Sequence, residues 1–139
     1  MRQKLITKQI EKAFAKYPLY SQDGKGKEAI VLTKFFTPWG RFTWYVLEAE
    51  KQPNGDYLFF GYVKGLEDEY GYFALSDLKS IRGPWGLSIE RDMYIDVAKQ
   101  TLAEMLGEKK AVTAKQATSK QTTQRAVSIS ARLTISKNE

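Results

Sequence analysis

The stretch FTWYVLEAEKQPNGDYLFFGYV, residues 42–63, decides the fold. Phe42 to Glu50 is rich in β-branched and aromatic residues and reads as a strand. Strict alternation would put Trp44, Val46, Glu48 and Glu50 on one face and Thr43, Tyr45, Leu47 and Ala49 on the other. Gln52-Pro53-Asn54-Gly55-Asp56 is a hairpin loop, because Asn-Gly tolerates positive φ. Tyr57 to Val63 is apolar on both faces, as expected of a strand that is covered on both sides.

Working outward, residues 35–94 hold fifteen of the eighteen aromatic residues. Ala29 to Phe36 predicts a strand before the hairpin, joined to it by the turn Pro38-Trp39-Gly40, so an antiparallel meander is the economical topology. After the clustered acids Glu67-Asp68-Glu69, Gly71 to Ala74 is a short extended piece. Ser76 is placed to cap a helical turn through Ile81, and Arg82-Gly83-Pro84-Trp85-Gly86 breaks it. Leu87 to Tyr94 reads as extended again, and Asp96 as the cap of a helix over 97–106 that stops at Gly107.

At the N-terminus, residues 4–17 predict an amphipathic helix with Ile6, Ile10, Ala13, Phe14 and Tyr17 on one face. Lys4, Lys8, Lys12 and Lys16 form an i, i+4 row elsewhere on it, either a solvated face or a ridge that meets phosphate. The Ser21 to Lys27 loop has neither a phosphate-cradling nor a calcium-loop pattern. The expected fold is therefore α+β: an antiparallel meander with an N-terminal amphipathic helix and a second helix after the sheet. Residues 1–107 form one domain, 108–126 a polar linker, and 127–136 a strand that ends a basic extension. In that strand Val127, Ile129, Ala131, Leu133 and Ile135 alternate with polar residues, so it is expected to pair with its own sheet, the alternatives being another protein's sheet, a second copy, or no fixed structure.

Charge is unevenly spread. Residues 1–27 carry seven basic and two acidic side chains (+5), residues 28–106 eight and twelve (−4), and residues 107–139 seven and two (+5). Both ends are basic and the aromatic body is mildly acidic. The chain has no histidine and no cysteine, which removes the commonest proton shuttle, thiol chemistry and disulfides, and fits a reducing cytoplasm. No apolar run is long enough to span a bilayer.

A catalytic reading would have to use carboxylates. The pairs Glu48/Glu50 and Glu90/Asp92 and the Glu67–Glu69 cluster are available, but adjacent acids on loops are ordinarily solvated, and Glu90-Arg91-Asp92 suggests ion pairing. Asp77-Leu78-Lys79 has the acid-x-Lys spacing of a metal nuclease but falls on a predicted helical turn. Nucleic-acid binding draws on aromatics interleaved with basic residues, at Lys34-Phe35-Phe36, Trp39-Gly40-Arg41-Phe42 and Arg82-Gly83-Pro84-Trp85. Most such rings belong to a core; Trp39 and Trp85, in Pro/Gly turns, are the candidates for exposure.

Several segments in order, among them Pro18-Leu19-Tyr20-Ser21, Phe59-Phe60-Gly61-Tyr62-Val63, Glu69 to Leu78 and Gly83 to Asp92, resemble a domain-of-unknown-function family. Its members are short proteins carried on plasmids, conjugative elements and phages, often near antirestriction genes. The resemblance covers residues 18–95 and leaves the lysine helix and the tail outside it. It implies a compact α+β domain in a bacterial or phage cytoplasm and supplies no catalytic residues. By association it implies an anti-defence role, binding a host nuclease complex, its guide RNA, or both. The alternatives are a general RNA- or DNA-binding protein and a metal-dependent nuclease. For binding, the expected residues are Lys4, Lys8 and Lys12 toward phosphate, Trp39 and Trp85 as anchors, and Arg82 and Arg91 as bidentate donors. Neither cofactor nor membrane is implied.

Overall fold

A computed structural model describes residues 4–108; the proposed linker and the strand at 127–136 lie outside the described residues, save Glu108. The fold is α+β. Its elements are α1 (Lys8–Lys16), β1 (Thr33–Phe36), β2 (Thr43–Lys51), β3 (Tyr57–Lys64), β4 (Glu69–Ala74), α2 (Leu75–Ser80), β5 (Glu90–Arg91) and α3 (Leu102–Leu106). The five strands form one antiparallel sheet in the order β4-β3-β2-β1-β5. The first four make the expected meander. The short β5 pairs back onto β1, Phe35 opposite Arg91 and Phe36 opposite Glu90.

Both sheet faces are covered, which is why β3 is apolar on both. On one face Ile10 and Phe14 of α1, Leu75 and Leu78 of α2, and Ile89 pack on Phe35, Trp44, Val46 and Phe59. On the other, Ala29, Val31 and Leu102 cover Tyr45, Leu47, Phe60, Tyr62, Tyr70 and Tyr72. Gly61 lies where the sheet is tightest: a Cβ there would run into the Tyr45 carbonyl.

The expected alternation of β2 holds only to Val46. Register shifts between Val46, opposite Gly61, and Glu48, opposite Phe60, so Leu47 is an extra residue in a β-bulge. Ala49 consequently joins Trp44 and Val46, and Glu48 turns to the face it was not expected to occupy. There it is fully buried, with Oε1 accepting from Tyr20 N (2.7 Å) and Oε2 from Gln22 N (3.0 Å). The 21–27 segment is therefore an anchored cover over the sheet and more than a surface loop.

Three boundaries here differ from expectation. Helix α1 starts at Lys8 because the Thr7 hydroxyl accepts from Ile10 N (3.2 Å), so Lys4 is outside the helix. Residues 29–32 leave the strand to meet the α3 approach, with Val31 N donating to Gln100 O and Leu102 N to Ala29 O, both at 2.9 Å. Helix α3 starts at Leu102, not at 97, because Ala98 has φ +53 and the Thr101/Glu104 capping box supplies the start. Gly107 ends it in the left-handed conformation, as expected (φ +75).

Helix α2 begins at Leu75, with Ala74 at the cap position and Asp77 accepting from Ala74 N (3.3 Å). Ser76 is drawn away from capping by Asp56 across the hairpin. The Ser76 hydroxyl donates to Asp56 Oδ2 (2.7 Å) and its amide to Oδ1 (3.0 Å). Burial pushes the Asp56 carboxyl up, but the Ser76 hydroxyl, the Tyr57 and Ser76 amides and Lys79 outweigh it and leave it below its ordinary value. A carboxyl lowered by folding stabilises above its unfolded pKa and loses that contribution as pH falls through the folded value. Thermal melts from neutral to acid pH should therefore show a steeper loss for the wild type than for Asp56→Asn. Parallel curves would rule this link out as an acid-sensitive one.

Candidate functional site

The loop after α2 is built by short-range bonds. Arg82 and Ser88 form an isolated antiparallel bridge, Gly83 N donates to Leu87 O (2.8 Å), and Leu87 N donates to Pro84 O (3.1 Å). Pro84 opens a single 3-10 turn at whose tip Trp85 has φ +56 and ψ +28, followed by Gly86 at φ +74. A bulky residue in the left-handed region is strained by about 1–3 kcal/mol. The ring gains no packing in return, since Trp85 is 98% exposed.

Trp39 sits in the same tripeptide, Pro-Trp-Gly, and does the opposite. It is partly buried against the core, and its indole lies over Gly83, where any Cβ would collide with the ring. The expectation of two displayed anchors is thus corrected. Trp85 is displayed, and Trp39 props the base of the loop that displays it.

The two arginines are partly committed within the chain, which modifies their expected role as bidentate donors. Arg82 Nη1 donates to Lys79 O and Ile81 O at the C-terminal end of α2, neutralising carbonyls that the helix leaves open. Arg91 Nε donates to Lys4 O (3.1 Å) and ties the N-terminal segment to β5. Between these two fastenings lies a groove of about 380 Å³, walled by Lys4, Leu5 and Ile6, by Leu78 and Lys79 of α2, and by Ser88 and Ile89. Lys4, Arg82, Trp85 and Arg91 are therefore joined through this groove and the loop beside it. Lys8 and Lys12 are exposed on α1 and do not line it.

Leu5, Ile6, Leu78, Lys79, Ser88 and Ile89 are the groove residues that the sequence did not single out for binding. Lys79 was visible only as part of Asp77-Leu78-Lys79. That motif lies on α2, where Asp77 serves the helix start, so the strand geometry a nuclease reading needs is not present there. Tyr94, after β5, is 93% exposed and does not line the groove; the Asp92 carboxylate accepts from Tyr94 N (2.9 Å) in an Asx turn. The other basic and aromatic mixture, Lys34-Phe35-Phe36, is internally satisfied: Lys34 pairs with Asp92 (3.5 Å) and lies over the Tyr45 ring (5.4 Å).

On the opposite sheet face, burial pushes the Tyr62 phenol up to about 12, and Asp68, Glu108 and Tyr45 add to the shift. Tyr70 is raised as well, also by burial first, and its buried hydroxyl has no partner among the described residues. Phenols raised in this way stay protonated at neutral pH and cannot serve as bases there. Among the described residues no three His, Cys, Asp or Glu side chains group to hold a metal, and no helix is long and apolar enough to cross a membrane.

No curated protein and no solved structure matches the chain. A family match does exist, and it spans residues 5–118, so α1 falls inside the shared region instead of outside it as expected from the 18–95 resemblance. The chain belongs to the family described as protein of unknown function (DUF2958).

Proposed function

We propose that this chain is a non-enzymatic recognition protein, and that Trp85 is its anchor. The observation that carries the reading is the fully displayed, left-handed Trp85 on a loop braced by Trp39. An exposed tryptophan held in a strained backbone has no use in the isolated fold. Tryptophan and arginine are the residues that most often dominate binding energy at interfaces. The setting we infer is an accessory protein of a plasmid, conjugative element or phage whose target is a host nuclease complex or its guide RNA. Its support is the association of such families with antirestriction genes.

A second reading, a general RNA- or DNA-binding protein, is favoured by the two basic ends, each +5. The two separate by titrating short RNA and DNA oligonucleotides with the purified chain between about 50 and 200 mM salt. We expect weak binding without strong preference. Tight binding that collapses steeply with salt, in the absence of any protein, would replace the first reading with the second.

A further inference from the structure

We infer that the groove beside the Trp85 loop holds an acidic polypeptide segment of a partner, seated by aliphatic or aromatic side chains and flanked by carboxylates. This rests on the recognition reading above and names the chemistry of its partner. The floor is apolar: Leu78 and Ile89 are 1% and 3% exposed, and the partly buried Leu5 and Ile6 form the opposite wall. The volume, about 380 Å³, lies in the range that accepts a few side chains and leaves a backbone at the surface.

Among the described residues the charge lining the groove has one sign: Lys4 and Lys79 line it, and none of the described lining residues is acidic. Arg91 and Arg82 approach from either side, bonded to the carbonyls of Lys4 and Lys79. Cations ringing an apolar trough suit apolar side chains interspersed with carboxylates.

Two other occupants fit less well. Nucleic acid would supply the negative charge, but bases are held by stacking on rings, and among the described residues no aromatic side chain lines the groove. The chain's own Val127 to Ile135 segment has the apolar side chains, but Arg125, Arg132 and Lys137 give it the same sign as the rim. The bridge between Arg82 and Ser88 makes groove and loop one surface, because Ser88 lines the first and closes the second.

The test is selection of a displayed random-peptide library on the full chain. Selected peptides are then measured by fluorescence anisotropy against the wild type, Lys4→Glu/Lys79→Glu, Leu5→Ser and Trp85→Ala. We expect acidic peptides carrying leucine, isoleucine or phenylalanine. Charge reversal, Leu5→Ser, or conversion of the peptide carboxylates to amides should each weaken binding by about tenfold or more. Exposed charge reversals leave the fold intact, which circular dichroism would confirm. Absence of enrichment, enrichment of neutral or basic peptides, or indifference to both groove variants would overturn the inference. Displacement by a short RNA would assign the groove to nucleic acid instead. If the groove variants have no effect while Trp85→Ala still abolishes capture of a cellular target, only the groove inference falls. If Trp85→Ala is also silent, the recognition reading falls with it.

Discussion

Replacing Trp85 with glycine is expected to stabilise the protein while abolishing target capture. Glycine adopts φ +56 without a Cβ penalty, so the substitution releases backbone strain of about 1–3 kcal/mol. Against this stands the larger backbone entropy that glycine loses on folding, roughly 0.5–1 kcal/mol. The ring is 98% exposed, so almost no packing is given up. The net gain of about 1 kcal/mol corresponds to a rise in Tm of roughly 3–5 °C for a chain of this size. Trp85→Ala keeps the strained backbone and removes the ring, so it should lose binding with stability nearly unchanged. Calorimetry of the three proteins reads the first effect, and capture of target from lysate reads the second. A Trp85→Gly protein that is less stable and binds as well as wild type would contradict the account on both counts.

The largest loss of stability is expected from Glu48→Ala. The bulge at Leu47 aims this carboxylate at the 20–22 turn, where it accepts the Tyr20 and Gln22 amides. Gln22 extends the network: its Nε2 donates to Ile30 O (2.8 Å) and Leu47 O (2.7 Å), and its Oε1 accepts from Ile30 N (2.7 Å). Both side chains are fully buried. Alanine removes the carboxylate from a buried amide, that of Gln22, and a partly buried one, that of Tyr20, at about 1–3 kcal/mol each, for a combined cost of roughly 3–5 kcal/mol. Glu48→Gln retains one acceptor and should recover part of that loss. Urea denaturation monitored by tryptophan fluorescence measures both variants. A Glu48→Ala loss below about 1 kcal/mol would mean that water replaces the carboxylate and that the cover over the sheet is not pinned as described.

Much of the sheet was legible because it is local. Asn54-Gly55 fixes the hairpin, and the apolar run Tyr57 to Val63 announces a strand covered on both faces. The bulge was not legible from periodicity, since Leu47-Glu48-Ala49 contains neither glycine nor proline. Glu48, set between Leu47 and Ala49 inside a central strand, was nonetheless a signal that something polar must meet it. Ser76 was misjudged because its partner, Asp56, is twenty residues away in sequence. The α3 start was readable in Thr101 and Glu104, and Asp96 offered a competing cap that the positive φ of Ala98 disqualifies.

The candidate site was legible in part. Arg82, Trp85, Arg91 and Lys4 are joined through one surface, because β5 pairs with β1 and Arg91 fastens the N-terminal segment. What no local pattern could separate is the fate of two identical tripeptides. Pro38-Trp39-Gly40 and Pro84-Trp85-Gly86 carry the same turn chemistry, and only the gap at Gly83 decides which ring is covered. The row of lysines, open to reading as a solvated face or a phosphate ridge, is split: Thr7 starts the helix late and sends Lys4 to the groove, apart from Lys8 and Lys12.

Whether Trp85 anchors recognition is decided by capturing partners from bacterial host lysate on the immobilised full chain. Wild type and Trp85→Ala are compared by quantitative mass spectrometry, each with and without prior nuclease treatment of the lysate. A specific host protein complex should be retained by the wild type, should survive nuclease treatment or lose only its RNA, and should be missing from Trp85→Ala. An identical set of proteins on both columns, or one that vanishes entirely with nuclease, would contradict that role.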